Sequence, residues 1–139
     1  MNGHIDDAGS RRYVEELTAF GAMLTNCPIE SAIGAVQMGV AENGSTMFMV
    51  YLPTRRLAEG AAALVEWRRT LVRPAGVAER SADGETVRIG VMGKSTESAA
   101  DVVVWVSNIP YGDLTCVAVE PDGQAVFGLD LLDLWAVDL

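Results

Sequence analysis

The sequence predicts an α+β fold: a mostly antiparallel sheet of about five to seven strands, two helices packed on it and a short C-terminal helix. Three observations carry that reading. Apolar residues recur at helical spacing in two segments, period-two apolar runs fill much of the rest, and the runs are joined by short turn signals. Asn43-Gly44 and Asp83-Gly84 are dipeptides that accept the positive φ angles of tight hairpins, and tight hairpins make antiparallel neighbours.

The elements follow in order. Residues 1–9 are polar and glycine-containing and are expected to form a disordered arm, leaving 10–139 as a single domain. From Ser10, a suitable helix cap, Tyr13, Leu17, Phe20 and Leu24 mark one face of a first helix ending before Asn26-Cys27-Pro28. Ala32–Glu42 and Thr46–Leu52 then form a hairpin around Asn43-Gly44. The second strand, TMFMVYL, is apolar on both faces, which suits a strand covered on both sides or one facing another protein chain. Pro53 ends it. Thr54 is placed to cap a second helix running to about Leu71, with Leu57, Ala61, Leu64, Trp67 and Leu71 as the buried stripe. Val77–Ala82 and Glu85–Met92 alternate around Asp83-Gly84, and Asp101–Ile109 is a β-branched strand. Leu114–Val119 and Gln124–Phe127 are strands separated by Pro121-Asp122-Gly123, and Leu129–Leu139 is spaced as the short terminal helix.

Charge narrows the function class. The chain of 139 residues has a formal net charge of −9, and all ten basic side chains lie between Arg11 and Lys94. The remaining stretch holds only acids: Glu97, Asp101, Asp113, Glu120, Asp122, Asp130, Asp133 and Asp138. A one-sign field of this kind favours basic partners and opposes binding to nucleic-acid phosphate or an anionic membrane surface. No apolar stretch is long enough to span a bilayer, and residues 1–13 lack the apolar core of a signal peptide. The expected compartment is therefore the cytoplasm, with Cys27 and Cys116 reduced.

Few residue patterns carry chemistry. Gly93-Lys94-Ser95 looks like the end of a phosphate-binding loop, but Arg88 stands where the first glycine belongs and no helix has room to follow. It reads instead as a tight turn with a polar tip. His4 is the sole histidine, and with no close cysteine pair neither a zinc site nor an imidazole-based nucleophile is expected. No cofactor is expected. Paired acids remain a candidate cradle for a hard cation, but no DxDxDG-type loop accompanies them.

The C-terminal sequence GLDLLDLWAVDL is the sharpest candidate. Acids interleaved with Leu, Trp and Val can dock on a hydrophobic groove with a basic rim, so Glu120, Asp122, Asp130, Asp133, Trp135 and Asp138 are the candidate partner-binding residues. The favoured reading of the same segment is a final helix or strand that completes the protein's own core with its aspartates toward water, because seven of the last eleven residues are large and apolar.

The central stretch also resembles small uncharacterised proteins encoded by actinobacteria and their phages or mobile elements. It does so through TMFMVYLPTRRLAEGAAALVEWRRTL, GETVRIGVMGKS and DVVVWVSNI, over roughly residues 45–109. The resemblance implies an architecture and a kind of genome, and no activity. The expected function is that of a non-enzymatic acidic binding protein, an adaptor, inhibitor or anti-defence factor that meets a basic protein surface, and that also suits a homo-oligomer. Two other classes fit the same residues: a small carboxylate-based enzyme or ligand-binding domain, and a structural component of a phage particle.

Overall fold

Gly44, at φ 83°, and Gly84, at φ 76°, occupy the left-handed backbone region that tight hairpins need, and the sheet is built around them. The computed structural model describes residues 33–40, 44–96 and 100–137, together with Val14, Glu15, Thr18 and Gly21. Strands β1 (Ala35–Val40) and β2 (Thr46–Leu52) pair antiparallel across the first turn. Helix α1 (Leu57–Trp67) and a 3-10 turn at Arg68–Thr70 lead to β3 (Leu71–Arg80), which turns at Gly84 into β4 (Thr86–Ser95). Strand β5 (Asp101–Pro110), β6 (Gln124–Phe127) and helix α2 (Asp130–Ala136) complete the chain. The six-stranded sheet has the order β1-β2-β5-β4-β3-β6.

The α+β class therefore holds, and one pairing departs from it. β2 and β5 are parallel, with Phe48 beside Val102 and Val50 beside Val104. Parallel neighbours need a long connection, supplied here by α1, β3 and β4, and no local sequence signal announces it. Two bulges also bend the sheet. Arg73 and Pro74 stand against Gly93, and Ser107 and Asn108 against Arg88, with Arg73 at φ 51° and Asn108 at φ 62° as the left-handed residues.

Helices cover one face. Phe48, Val50, Ile89, Val91, Val104 and Val106 point into a core closed by Leu64 and Trp67 of α1 and by Leu132 and Trp135 of α2. Gly60 lets α1 approach the sheet, since a Cβ there would stand 2.6 Å from Val106 Cγ1. Phe127 lies over Gly76 and meets Trp135 edge-on at 5.1 Å between centroids.

Several boundaries differ from expectation. The residue before α1 is Arg56, not Thr54; Thr54 Oγ1 instead accepts from Arg56 N and lies 3.3 Å from Glu59 Oε2. β3 begins at Leu71, because the bulge carries the strand through Pro74 without breaking it. Gly93-Lys94-Ser95 is the end of β4, where Lys94 opposes Asp101, and not a turn tip. Leu114–Val119 forms no strand; Cys116 at φ 68° breaks the extended run, and Leu114 and Val119 anchor the loop to the core. Val14, Glu15, Thr18 and Gly21 are helical and exposed, in line with the first predicted helix. Its apolar stripe, the arm at 1–9, Asn43, Glu97 and Asp138 lie outside the described residues.

Candidate docking face and acidic end

Helices α1 and α2 both pack on the first face of the sheet, and the side chains of the second follow from register. β2 contributes Met47, Met49 and Tyr51, β5 contributes Val103, Trp105 and Ser107, β4 contributes Met92 and Arg88, and β3 contributes Val77 and Glu79. Val77, Val103 and Trp105 form a small second core with Met49 and Tyr51. Trp105 is only 6% exposed, on the face opposite α1 and α2. Its indole lies flat across Gly90, where an added Cβ would stand 2.8 Å from the ring, and the Arg88 guanidinium stacks on it at 4.0 Å from the ring centroid. Glu79 holds that guanidinium in place by accepting from Arg88 Nε and Nη2, and Gln124 Nε2 donates to the other carboxylate oxygen at 3.0 Å. Around this tiled centre, Met47, Met49 and Tyr51 are half-buried, whereas Met92 and Val126 are exposed.

Beyond Arg88 the face opens into a polar groove of about 430 Å3, lined among others by Glu79, Thr86, Ser107, Asn108, Asp122 and Gln124. The groove borders an acidic end built by backbone ties. Tyr111 N donates to Glu85 O, Asp122 N to Ser81 O, and Arg80 N to Gly123 O, which gathers the β3–β4 hairpin, the turn after β5 and the turn before β6. Asp83, Glu85, Asp113, Glu120 and Asp122 are all exposed there. The basic residue nearest them is turned inward. Arg80 donates to Gly84 O and Val119 O and stacks on Tyr111 at 3.6 Å, so its charge is held within the end it supports. A hydrogen bond from Ser81 Oγ, then one from Glu85 N, holds the Asp83 carboxyl below its ordinary value.

The predicted partner-binding residues separate into groups. Glu120 and Asp122 belong to the acidic end, with Asp122 in the left-handed region at φ 60°. Asp130 is exposed on α2, in the helix layer on the other side of the sheet. Asp133 is ion-paired: Arg68 donates to its two oxygens at 3.1 and 3.2 Å and also to Leu129 O. Trp135 corrects the expectation most directly. It is 3% exposed, packs on Phe127 and donates to Thr115 O and Oγ1, because its position on α2 faces the sheet. Asp138 lies outside the described residues. The surface reading of GLDLLDLWAVDL thus gives way to a core-closing helix. Met47, Met49 and Tyr51 were not named as candidate residues although the two-faced TMFMVYL pattern signalled their strand, and Met92 and Trp105 carried no such signal.

Among the described residues no His, Cys, Asp or Glu side chains gather as a metal cage, and no helix is long and apolar enough to cross a membrane. Comparison with family models, curated proteins and solved structures gives no match.

Proposed function

We propose that this chain is a non-enzymatic binding protein that docks a basic amphipathic helix of a protein partner on the sheet face opposite α1 and α2. The observation that carries the reading is the partly exposed Met47, Met49 and Tyr51 platform packed around a buried Trp105, on the face opposite α1 and α2 and bordered by the acidic end. The opposite face of the same sheet already buries helices, so the geometry of helix on sheet is available on both sides. Methionines adapt to irregular partners, and the Met47, Met49 and Met92 side chains supply that adaptability here. Asp83, Glu85, Asp113, Glu120 and Asp122 supply the complementary charge, which steers encounter more than it adds affinity. Compared with the sequence-based expectation, Glu120 and Asp122 are retained, while Asp130, Asp133 and Trp135 leave the proposed surface.

Site-specific photo-crosslinking tests this. A photo-reactive residue at Met49 should capture a discrete basic protein in the native host, and one at Arg55, exposed in the loop that leads into α1, should not. Tyr51→Asp should abolish the adduct, and raised salt should slow its formation. Adducts that are absent at Met49, or equally strong at Arg55, would overturn the reading.

A further inference from the structure

The two edges of the sheet are guarded differently. β6 is four residues long, entered from the left-handed Asp122 and closed by α2. β1 is six residues, AVQMGV, without a charge, a proline or a bulge, and it pairs residue for residue with β2 along its whole length. Natural edge strands commonly carry such features, and an edge that lacks them is a template for another strand. β1 is also exposed on the helix side. Val36, Met38 and Val40 are 42, 42 and 59% exposed, whereas their β2 partners Val50, Phe48 and Thr46 on the same face are at most 1% exposed. Burial on that face therefore falls off between β2 and β1.

The pattern of β1 identifies what covers it. Val36, Met38 and Val40 read the same in both directions, so an antiparallel copy centred on Met38 sets Val36 against the partner's Val40 and Met38 against the partner's Met38. Each large apolar side chain finds another, and Gln37 faces the partner's Gly39. Neither β1 nor β2 contains a charged residue, so a net −9 on each copy places no like charges at the junction. We infer that this chain forms a two-fold homodimer by antiparallel pairing of β1 with β1 of a second copy, with Met38 on the axis. The pairing makes one continuous sheet from the two copies and extends the open face across both. The contact is small, below the roughly 1,200 Å2 of standard interfaces, so dissociation in the micromolar range is expected.

Register-specific cross-linking tests it on the full chain with Cys27→Ser and Cys116→Ser. In this background Met38→Cys should oxidise to a covalent dimer, because directly opposed antiparallel residues stand about 4.5–5.5 Å apart at Cα, within disulfide reach. Gln37→Cys should not, because its own counterpart lies on a diagonal about 7–8 Å away. Sedimentation equilibrium of the native chain should show a monomer–dimer equilibrium, and Met38→Lys should weaken it by about tenfold or more through like charges on the axis. Val40→Lys is the second variant should Met38→Lys lose its circular-dichroism signature of folding. A monomer up to several hundred micromolar, a dimer indifferent to a folded lysine variant, or preferential cross-linking through Gln37→Cys would each overturn the inference. The last two outcomes would point instead to another surface or register.

Discussion

Asp101 shows how a single acid in the basic-free stretch is tied into the fold. It opens β5, opposes Met47 on β2 and Lys94 on β4, and accepts from Ser45 Oγ at 2.9 Å and Lys94 Nζ at 3.0 Å. Partial burial disfavours its charge, but the hydrogen bonds from Lys94 and Ser45, with the Lys94 charge, outweigh that and hold its pKa below the ordinary 3.8. A carboxyl depressed in the folded state contributes stability that is complete above its unfolded value and lost as pH falls through the folded one. Asp101→Asn should therefore lower stability by about 1 kcal/mol at pH 7, or roughly 3–5 °C in Tm. The gap to the native protein should stay constant down to about pH 5, narrow below the ordinary value and close once the carboxyl is protonated in both states. Thermal melts across that range check it, and a gap independent of pH would assign the loss to packing alone. The sequence could not reveal this role. Asp101 differs from its neighbouring acids only through strands that arrive from residues 45 and 94.

Among elements, α1 is where local propensity and tertiary packing disagree most clearly. Glycine inside a helix costs about 1 kcal/mol relative to alanine, so Gly60 looks like a position to improve. Yet a Cβ at Gly60 would meet Val106 Cγ1 at 2.6 Å and Cγ2 at 3.1 Å, and Val106 is fully buried on a β-branched stem with nowhere to turn. Gly60→Ala should therefore destabilise by about 1–3 kcal/mol, reversing the sign that propensity gives. In a double-mutant cycle with Val106→Ala the paired loss should be smaller than the sum of the single losses, because the second change makes room for the first. Additive losses in denaturant titrations would refute the contact. The same contrast explains what was legible. The turns at Gly44 and Gly84, the β4 and β5 runs and the stripe Leu57, Ala61, Leu64, Trp67 were readable because each is set within a few residues of chain. The parallel β2–β5 pairing and the bulges at Arg73 and Asn108 depend on chain far away in sequence. The sequence leaves Trp135 between a partner surface and the core because a seven-residue helix between acids has no periodicity long enough to show which face meets Phe127.

Over the whole molecule, the charge segregation first visible as a basic-free stretch resolves into two different arrangements. Part of it is neutralised in place, through Arg68–Asp133 and Lys94–Asp101, and part is left at the acidic end, where Asp113, Glu120 and Asp122 join Asp83 and Glu85 of the β3–β4 turn, exposed around an inward-turned Arg80. Salt acts oppositely on the two. Exposed ion pairs are worth only about 0–1 kcal/mol each, so screening Arg56–Glu59 or Arg68–Asp133 removes little. Repulsion among five acids at one end, within a chain of net charge −9, has no compensating contact to lose and is relieved as the screening length falls from about 10 Å at 0.1 M toward 3 Å at 1 M. Repulsion should dominate, so Tm should rise by a few degrees between about 0.05 and 0.5 M sodium chloride. Glu120→Gln with Asp122→Asn should raise Tm at low salt and flatten that dependence, whereas Asp130→Asn, on the far layer, should leave the slope nearly unchanged. A flat native curve, or a slope equally sensitive to Asp130, would mean that the acids at the hairpin end are too far apart to act as one charge. Salt would then have no common field through which to slow a basic partner's approach to the open face.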